Sequence, residues 1–319
     1  MKIGDVAPIQ PLGKAPLGQR DSPGAALPAL LTDPRQTGLL PPRETTGLAS
    51  SLVPALPPVS LNRPLLESGL LAQELDVARQ IQQARLPKTF PKLPGFGLSG
   101  FCLSARQVGG DLYDVFALSQ ETVLLLVADV MGKGVPAALF ASTLRALAHT
   151  LVEWTGRPAE LLTRMNRLMF AELSAVDMFV TVQMVLVDLR QRQLTIANAG
   201  HCPLLLATPQ QSTQAIVPEG LPLGIVSDTC FSEETLPLAP ASCLLLYTDG
   251  LTEARNPQGD LFGQERLEAW LSHHAKQGLT AGQLKERFLS DLKRFQSDLS
   301  PRDDQTFLLL TEEPSQGAV

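Results

Sequence analysis

Long apolar runs are missing from this chain: no window approaches the roughly 20 residues a membrane-crossing helix needs, so a helical membrane protein is not expected. Nor does the N-terminus pair a basic segment with an apolar one, and no secretory signal is expected. Cysteine is sparse. Cys102, Cys202, Cys230 and Cys243 form no CxxC pair and no Cys-His ligand spacing, which leaves small buried thiols in a reducing compartment as the simplest reading. Aromatics are scarce too, and two Trp and two Tyr provide little of the stacking surface a carboxylate-pair glycosidase would use. Positive charge is in deficit, with 26 Lys and Arg against 32 Asp and Glu, a net charge of −6. That balance argues against nucleic acid and against anionic membrane as partners. What remains is a cytoplasmic globular protein, an enzyme or a protein-binding module, long enough at 319 residues to bury a substantial core.

The chain has three composition regimes. Residues 1–64 hold nearly half of the 26 prolines amid Gly, Ser and isolated leucines, which predicts a disordered or extended segment. Residues 65–87 read as one amphipathic helix, with Leu71, Leu75, Ala78, Ile81 or Gln82, and Arg85 or Leu86 at helical spacing and Pro87 ending it. Such a helix either packs on its own core or couples to a partner. Residues 88–313 read as one domain. GLSGFCLS, LYDVFAL, TVLLLVADV, FVTVQMVLVDL, QLTIANAG, PLLLAT, SCLLLYTD and QTFLLLT are strand candidates. Helices are predicted over 137–154, 158–173, 263–273 and 281–299. A helix pair between runs of strands favours an α+β layered sandwich over a parallel βαβ sheet. The short link RQR makes the strands on either side of it antiparallel.

Four aspartates stand at the ends of apolar runs: Asp111 in VGGDLYD, Asp129 in LLLVADVMGKG, Asp249 in LLLYTDG and Asp303 in PRDDQTFLLL. A carboxylate beside strand residues is costly unless its charge is compensated, and few basic residues lie nearby. Gathered at one sheet rim, these acids would suit Mg²⁺ or Mn²⁺, which take oxygen ligands, and a pair of ions can clamp a phosphoryl oxygen. Any one of them alone could equally cap a turn. A nucleotide phosphate loop at Gly132-Lys133-Gly134 fails, since the pattern needs Gly at Val127 and Ser or Thr at Gly134. Asp114 shares a ribbon with Asp111 but faces the other way in a strand, and reads either as structural or as a residue behind the ligands. Asn198 and His201 in NAGHCPLLL mark a turn, with His201 either a phosphate contact or acid, or a residue that fixes the loop. Arg106 could meet a phosphate or lie on the surface. His149, His273 and His274 have no partners at metal spacing and receive no role.

In order, ELDVARQIQQARLP, VGGDLYD, ADVMGKGVPAALFAS, NAGHCPLLL, GLPLGI, LYTDGLTEARN, LFGQERL and DDQTFLLL resemble the bacterial serine/threonine phosphatases of the RsbU and SpoIIE type, over about residues 70–312. That group is metal-dependent and PP2C-like. The resemblance implies an α-β-β-α sandwich of two mainly antiparallel sheets flanked by helices, with two Mn²⁺ or Mg²⁺ ions at one end. It implies that Asp129 bridges the ions with the Val130 carbonyl on one of them, that Asp249 and Asp303 hold the other, and that Asp111 acts through water or a further position. Asp304 stands where the wider group often has Asn, implying a role behind the ligands. The implied substrate is a phosphorylated STAS-type anti-sigma-factor antagonist in a partner-switching pathway. A weakly catalytic binding module of the same fold is the rival reading. In place of the family's sensor domain stands the proline-rich segment, so residues 66–86 are expected to dock an activator or a second copy. The helices over 137–173 would be the family's switch pair.

Overall fold

Strand β3 (Thr122–Val130) carries the most continuous apolar run, because both of its faces are covered. Its odd-numbered residues Val123, Leu125 and Val127 pack between two sheets, and its even-numbered Leu124, Leu126, Ala128 and Val130 pack under helices. The computed structural model describes residues 63–313. The expectation for residues 1–64 lies outside the described residues except at Arg63 and Pro64, which open helix α1 (Arg63–Arg85).

Two five-stranded antiparallel sheets face each other. The first runs β1 (Phe96–Leu103), β10 (Gln305–Glu312), β9 (Cys243–Tyr247), β6 (Leu204–Thr208), β7 (Gln211–Ile216). The second runs β2 (Leu112–Ala117), β3, β4 (Val180–Asp188), β5 (Gln193–Ala199), β8 (Glu234–Pro237). Helices α2 (Val135–Leu151) and α3 (Pro158–Ser174) cover the second sheet, burying Leu144, Leu162, Met165 and Met169. Helices α5 (Gln264–Ala275) and α6 (Ala281–Gln296) cover the first, burying Leu267, Leu271, Leu284 and Phe288. The result is an α+β sandwich in α-β-β-α order, with its central apolar layer between the sheets.

Two strands were not predicted. β7 is polar (QSTQAI) and mostly exposed at a sheet edge, and β8 is four residues ending in Pro237, also at an edge. Neither carries an apolar alternation. The run LLLYTD stops as a strand at Tyr247, and Asp249 opens a four-residue helix, α4 (Asp249–Thr252). Of the four thiols, Cys243 is buried and Cys102 and Cys202 are half-buried, but Cys230 is exposed because it lies in the loop before β8 rather than in a strand. Among the described residues no helix is long and apolar enough to cross a membrane.

Candidate metal centre

Strand alternation carries four elements' side chains into one place. Asp129 continues the interlayer row of Val123, Leu125 and Val127, and Thr248 continues that of Leu244 and Leu246. On β10 the row Leu310, Leu308 runs back to Thr306 and Asp304, and on β2 Tyr113 runs back to Asp111. Each row changes from aliphatic to polar at the same end of the sandwich. A residue shifted by one would face a helix instead. Asp114 shows this, pointing away from the site to take Arg145 Nε at 2.8 Å and His149 Nε2 at 2.7 Å from α2. His149, which received no role from sequence, thus helps seat α2 on β2.

Asp129, Asp249 and Asp303 line one cleft of about 260 Å³ together with Lys133, Thr181, His201 and Cys202. Asp111 lies buried behind it, its Oδ2 accepting from the Thr248 hydroxyl at 2.7 Å. The crowding shows in the protonation equilibria. Burial, then the charges of Asp129 and Asp304, hold the Asp111 carboxyl well above its ordinary range, against the pull of Thr248. Burial, then Asp249 and Asp303, push Asp129 up to about 7. Burial, then Glu253 and Asp303, raise Asp249 as well. Lys133 is the one cation lining the cleft among the described residues, and its ammonium pairs with Asp303.

Among the described residues no three Asp, Glu, His or Cys side chains are drawn together as ligands of one ion. The acids ring the cleft, as repelling carboxylates with a single ammonium among them should. The donor set nevertheless suits a hard divalent cation: it is all oxygen, pre-aimed by strand ends, and short of the positive charge that would bring its raised carboxyls back to ordinary values.

The other predicted residues divide by what they touch. The Val130 carbonyl faces Gly110, where a Cβ would fall 2.6 Å from it, so the bare glycine lets Asp111's loop close on β3. Asp304 is buried and faces the loop: Oδ1 accepts from Ala105 N at 2.7 Å and Oδ2 from Gly110 N at 2.8 Å. Asn198 spends its amide on the turn, accepting from His201 N at 2.8 Å and donating to His201 O at 3.1 Å. His201 is buried at the cleft wall with Nδ1 2.8 Å from Thr181 Oγ1, and burial lowers its pKa to about 4, so it is neutral at pH 7. Arg106 is exposed and rests beside Gly134.

Thr181, Lys133 and Thr248 were missed. Thr181 pairs in register with Asp129 across β3 and β4, and Thr248 extends an alternation that the sequence displays. Counting that alternation through to the strand ends would have found both.

Comparison with known proteins gives a consistent result. The family model of stage II sporulation protein E (SpoIIE) matches residues 119–312. The chain is 28% identical over 241 residues to the phosphoserine phosphatase RsbU of Bacillus subtilis, covering 75% of this chain and 70% of RsbU. It is 28% identical over 228 residues to protein IcfG of Synechocystis sp., of which it spans 36% against 63% of this chain. The solved SiaA-PP2C domain of Pseudomonas aeruginosa superimposes with a TM-score of 0.69 at 30% identity, over 77% of this chain and 98% of that one.

Proposed function

The chain belongs to the SpoIIE family of PP2C-type serine phosphatases, and we propose that it is a metal-dependent protein serine/threonine phosphatase acting through residues 88–313. The observation that carries the reading is the gathering of Asp111, Asp129, Asp249 and Asp303 at one end of the interlayer, with three of the four carboxyls held above their ordinary range. Asp129 with the Val130 carbonyl, Asp249 and Asp303 would hold two Mn²⁺ or Mg²⁺ ions, with Asp111 behind them. Such ions supply Lewis acidity toward a phosphoryl oxygen and a lowered pKa for water.

The chain's own groups do the rest. Asp129, at a strand end, is fixed in direction by the β3–β4 ladder. Thr248 holds Asp111 in one rotamer. Neutral His201 walls the cleft without adding charge to it. Lys133 stands between this cleft and a neighbouring furrow that also holds Arg255 and Arg302, so an anionic phosphoserine loop meets positive charge on one side of the acids. The proposed substrate is a phosphorylated STAS-type anti-sigma-factor antagonist, the class implied by the RsbU-like motifs. Residues 66–86 are the proposed seat of an activator or of a second copy.

Phosphate release from a phosphoserine STAS protein with Mn²⁺, and none with chelator, is the expected result. Metal-independent release, or none from any phosphoprotein, would refute it. The Lys133–Asp303 pair satisfies Asp303 without an ion and favours, as a second reading, a weakly catalytic binding module. Calorimetric titration with Mn²⁺ discriminates between the two, since a pure binding module need not bind metal.

A further inference from the structure

Gln183 stands on β4 in the interlayer row of Val185 and Val187, one step behind Thr181, and pairs in register with Val127 on β3 and Asn198 on β5. It is wholly buried, yet neither its Oε1 nor its Nε2 meets a hydrogen-bond partner among the described residues. An amide left so bears the desolvation cost of both its ends, and native interiors seldom keep one. A further unpartnered atom belongs to the residue fastened to both of its neighbours. His201 exchanges two main-chain hydrogen bonds with the Asn198 amide, and its Nδ1 lies 2.8 Å from Thr181 Oγ1. Its Nε2 is buried and bonds to no described residue, although the Tyr247 carbonyl lies close enough to favour a proton on the ring.

Thr181 decides where the imidazole proton sits. Its hydroxyl has one proton and donates it to Asp129 O at 3.4 Å, so toward His201 it can only accept, and the ring proton is at Nδ1. Nε2 is then a bare acceptor and cannot bond the Tyr247 carbonyl, which is an acceptor too. A water molecule placed among the three groups satisfies them all, donating one proton to Nε2 and one to Tyr247 O and accepting from Gln183 Nε2. Buried waters make about three such bonds.

We infer that the layer between the sheets holds an internal water site built by Gln183, His201 Nε2 and Tyr247 O, which completes a hydrogen-bonded chain from Gln183 to the main chain of Asp129 and fixes His201 as its Nδ1-protonated tautomer. Gln183 is thereby a positioning residue, acting on the cleft wall through the water and the imidazole. With both ring nitrogens committed, His201 has none free to pass a proton to a ligand in the cleft, which decides between the two roles that its sequence context left open. The inference concerns the chain's own hydrogen bonding and holds whether or not the chain is a phosphatase.

The test is nuclear magnetic resonance on the isotope-labelled full chain at pH 7 with chelator, the His201 signal being assigned by its loss in His201→Gln. The nitrogen shifts and couplings of His201 should show the proton on Nδ1 and a bare, hydrogen-bonded Nε2. The Gln183 side-chain amide protons should give a cross-relaxation peak with a water molecule that tumbles with the protein. Gln183→Met keeps the length of the side chain and removes both polar ends. It should erase the water peak and shift the His201 Nε2 resonance, with the signals of His273 and His274 unmoved. A His201 protonated at Nε2, and so bonded directly to Tyr247 O, overturns the inference. So does a Gln183 amide without a water peak, or an unmoved His201 signal in Gln183→Met. The two wild-type spectra decide the matter by themselves where the variant fails to fold.

Discussion

The Thr248 hydroxyl donates to Asp111 Oδ2 over 2.7 Å, and it accepts from Thr306 N at 3.1 Å. One hydroxyl thus ties a carboxylate of the second sheet to two strands of the first. Thr248→Val keeps the shape and removes both bonds. It should cost about 1–3 kcal/mol in chemical denaturation, because a buried carboxyl and a buried amide lose their partner. It should also lower Mn²⁺ affinity in calorimetry, since Asp111 then holds its proton more tightly.

Asp129→Asn and Asp249→Asn remove charge from the cleft while keeping its shape. Each should reduce phosphate release by at least about a hundredfold, the upper range for losing one group around a bound metal. Far-ultraviolet circular dichroism should be unchanged. Activity within tenfold of wild type in either variant would remove that residue from the proposed ligand set.

Two groups give opposite pH dependence to the chelated protein. Asp129, raised to about 7, contributes stability that is present below its ordinary 3.8 and lost as pH rises through 7. His201, lowered to about 4 from 6.5, contributes stability that is present above 6.5 and lost as pH falls through 4. In melting-temperature scans from pH 4 to 7, Asp129→Asn should tilt the curve toward greater stability at higher pH. His201→Gln should tilt it the other way. Identical slopes in wild type and both variants would contradict these environments.

Asp114 is buried between β2 and α2 with Arg145 and His149 on one carboxylate oxygen. Asp114→Ala strands a partly buried guanidinium and should destabilise by about 3 kcal/mol in urea unfolding. Loss of the anchor should also accelerate hydrogen exchange in α2 more than in α6. Uniform exchange across both helices would show that α2 is held by its apolar face alone.

Much of this was legible in the sequence because the central strands are apolar enough to declare themselves. β3, β4, β9 and β10 are runs of Val and Leu, and Asp129 and Asp303 mark where the runs end or begin. β7 and β8 were illegible because edge strands need no apolar face. Asp249 was placed at a strand end, whereas Thr248 already leaves the ladder and Asp249 starts α4. The two clamps on the Asp111 loop were beyond reach for another reason. Gln82 and Asp304 lie 27 and 194 residues from Gly109 and Gly110, whose amides donate to them, and nothing local in either segment signals so distant a partner.

Asp111 and Asp129 ride on one sheet, whereas Asp249 follows β9 and Asp303 and Asp304 precede β10 of the other. The spacing of the two groups of acids therefore follows the packing of the aliphatic layer, in which Val127 and Leu246 stand one step behind the polar end. Protein interiors are packed as tightly as organic crystals and yield little. Mg²⁺ demands short, near-ideal oxygen distances. In the proposed metal site, ion-radius discrimination would thus be set by hydrocarbon side chains that never meet an ion, and trimming them one methyl at a time would be the route to retuning it.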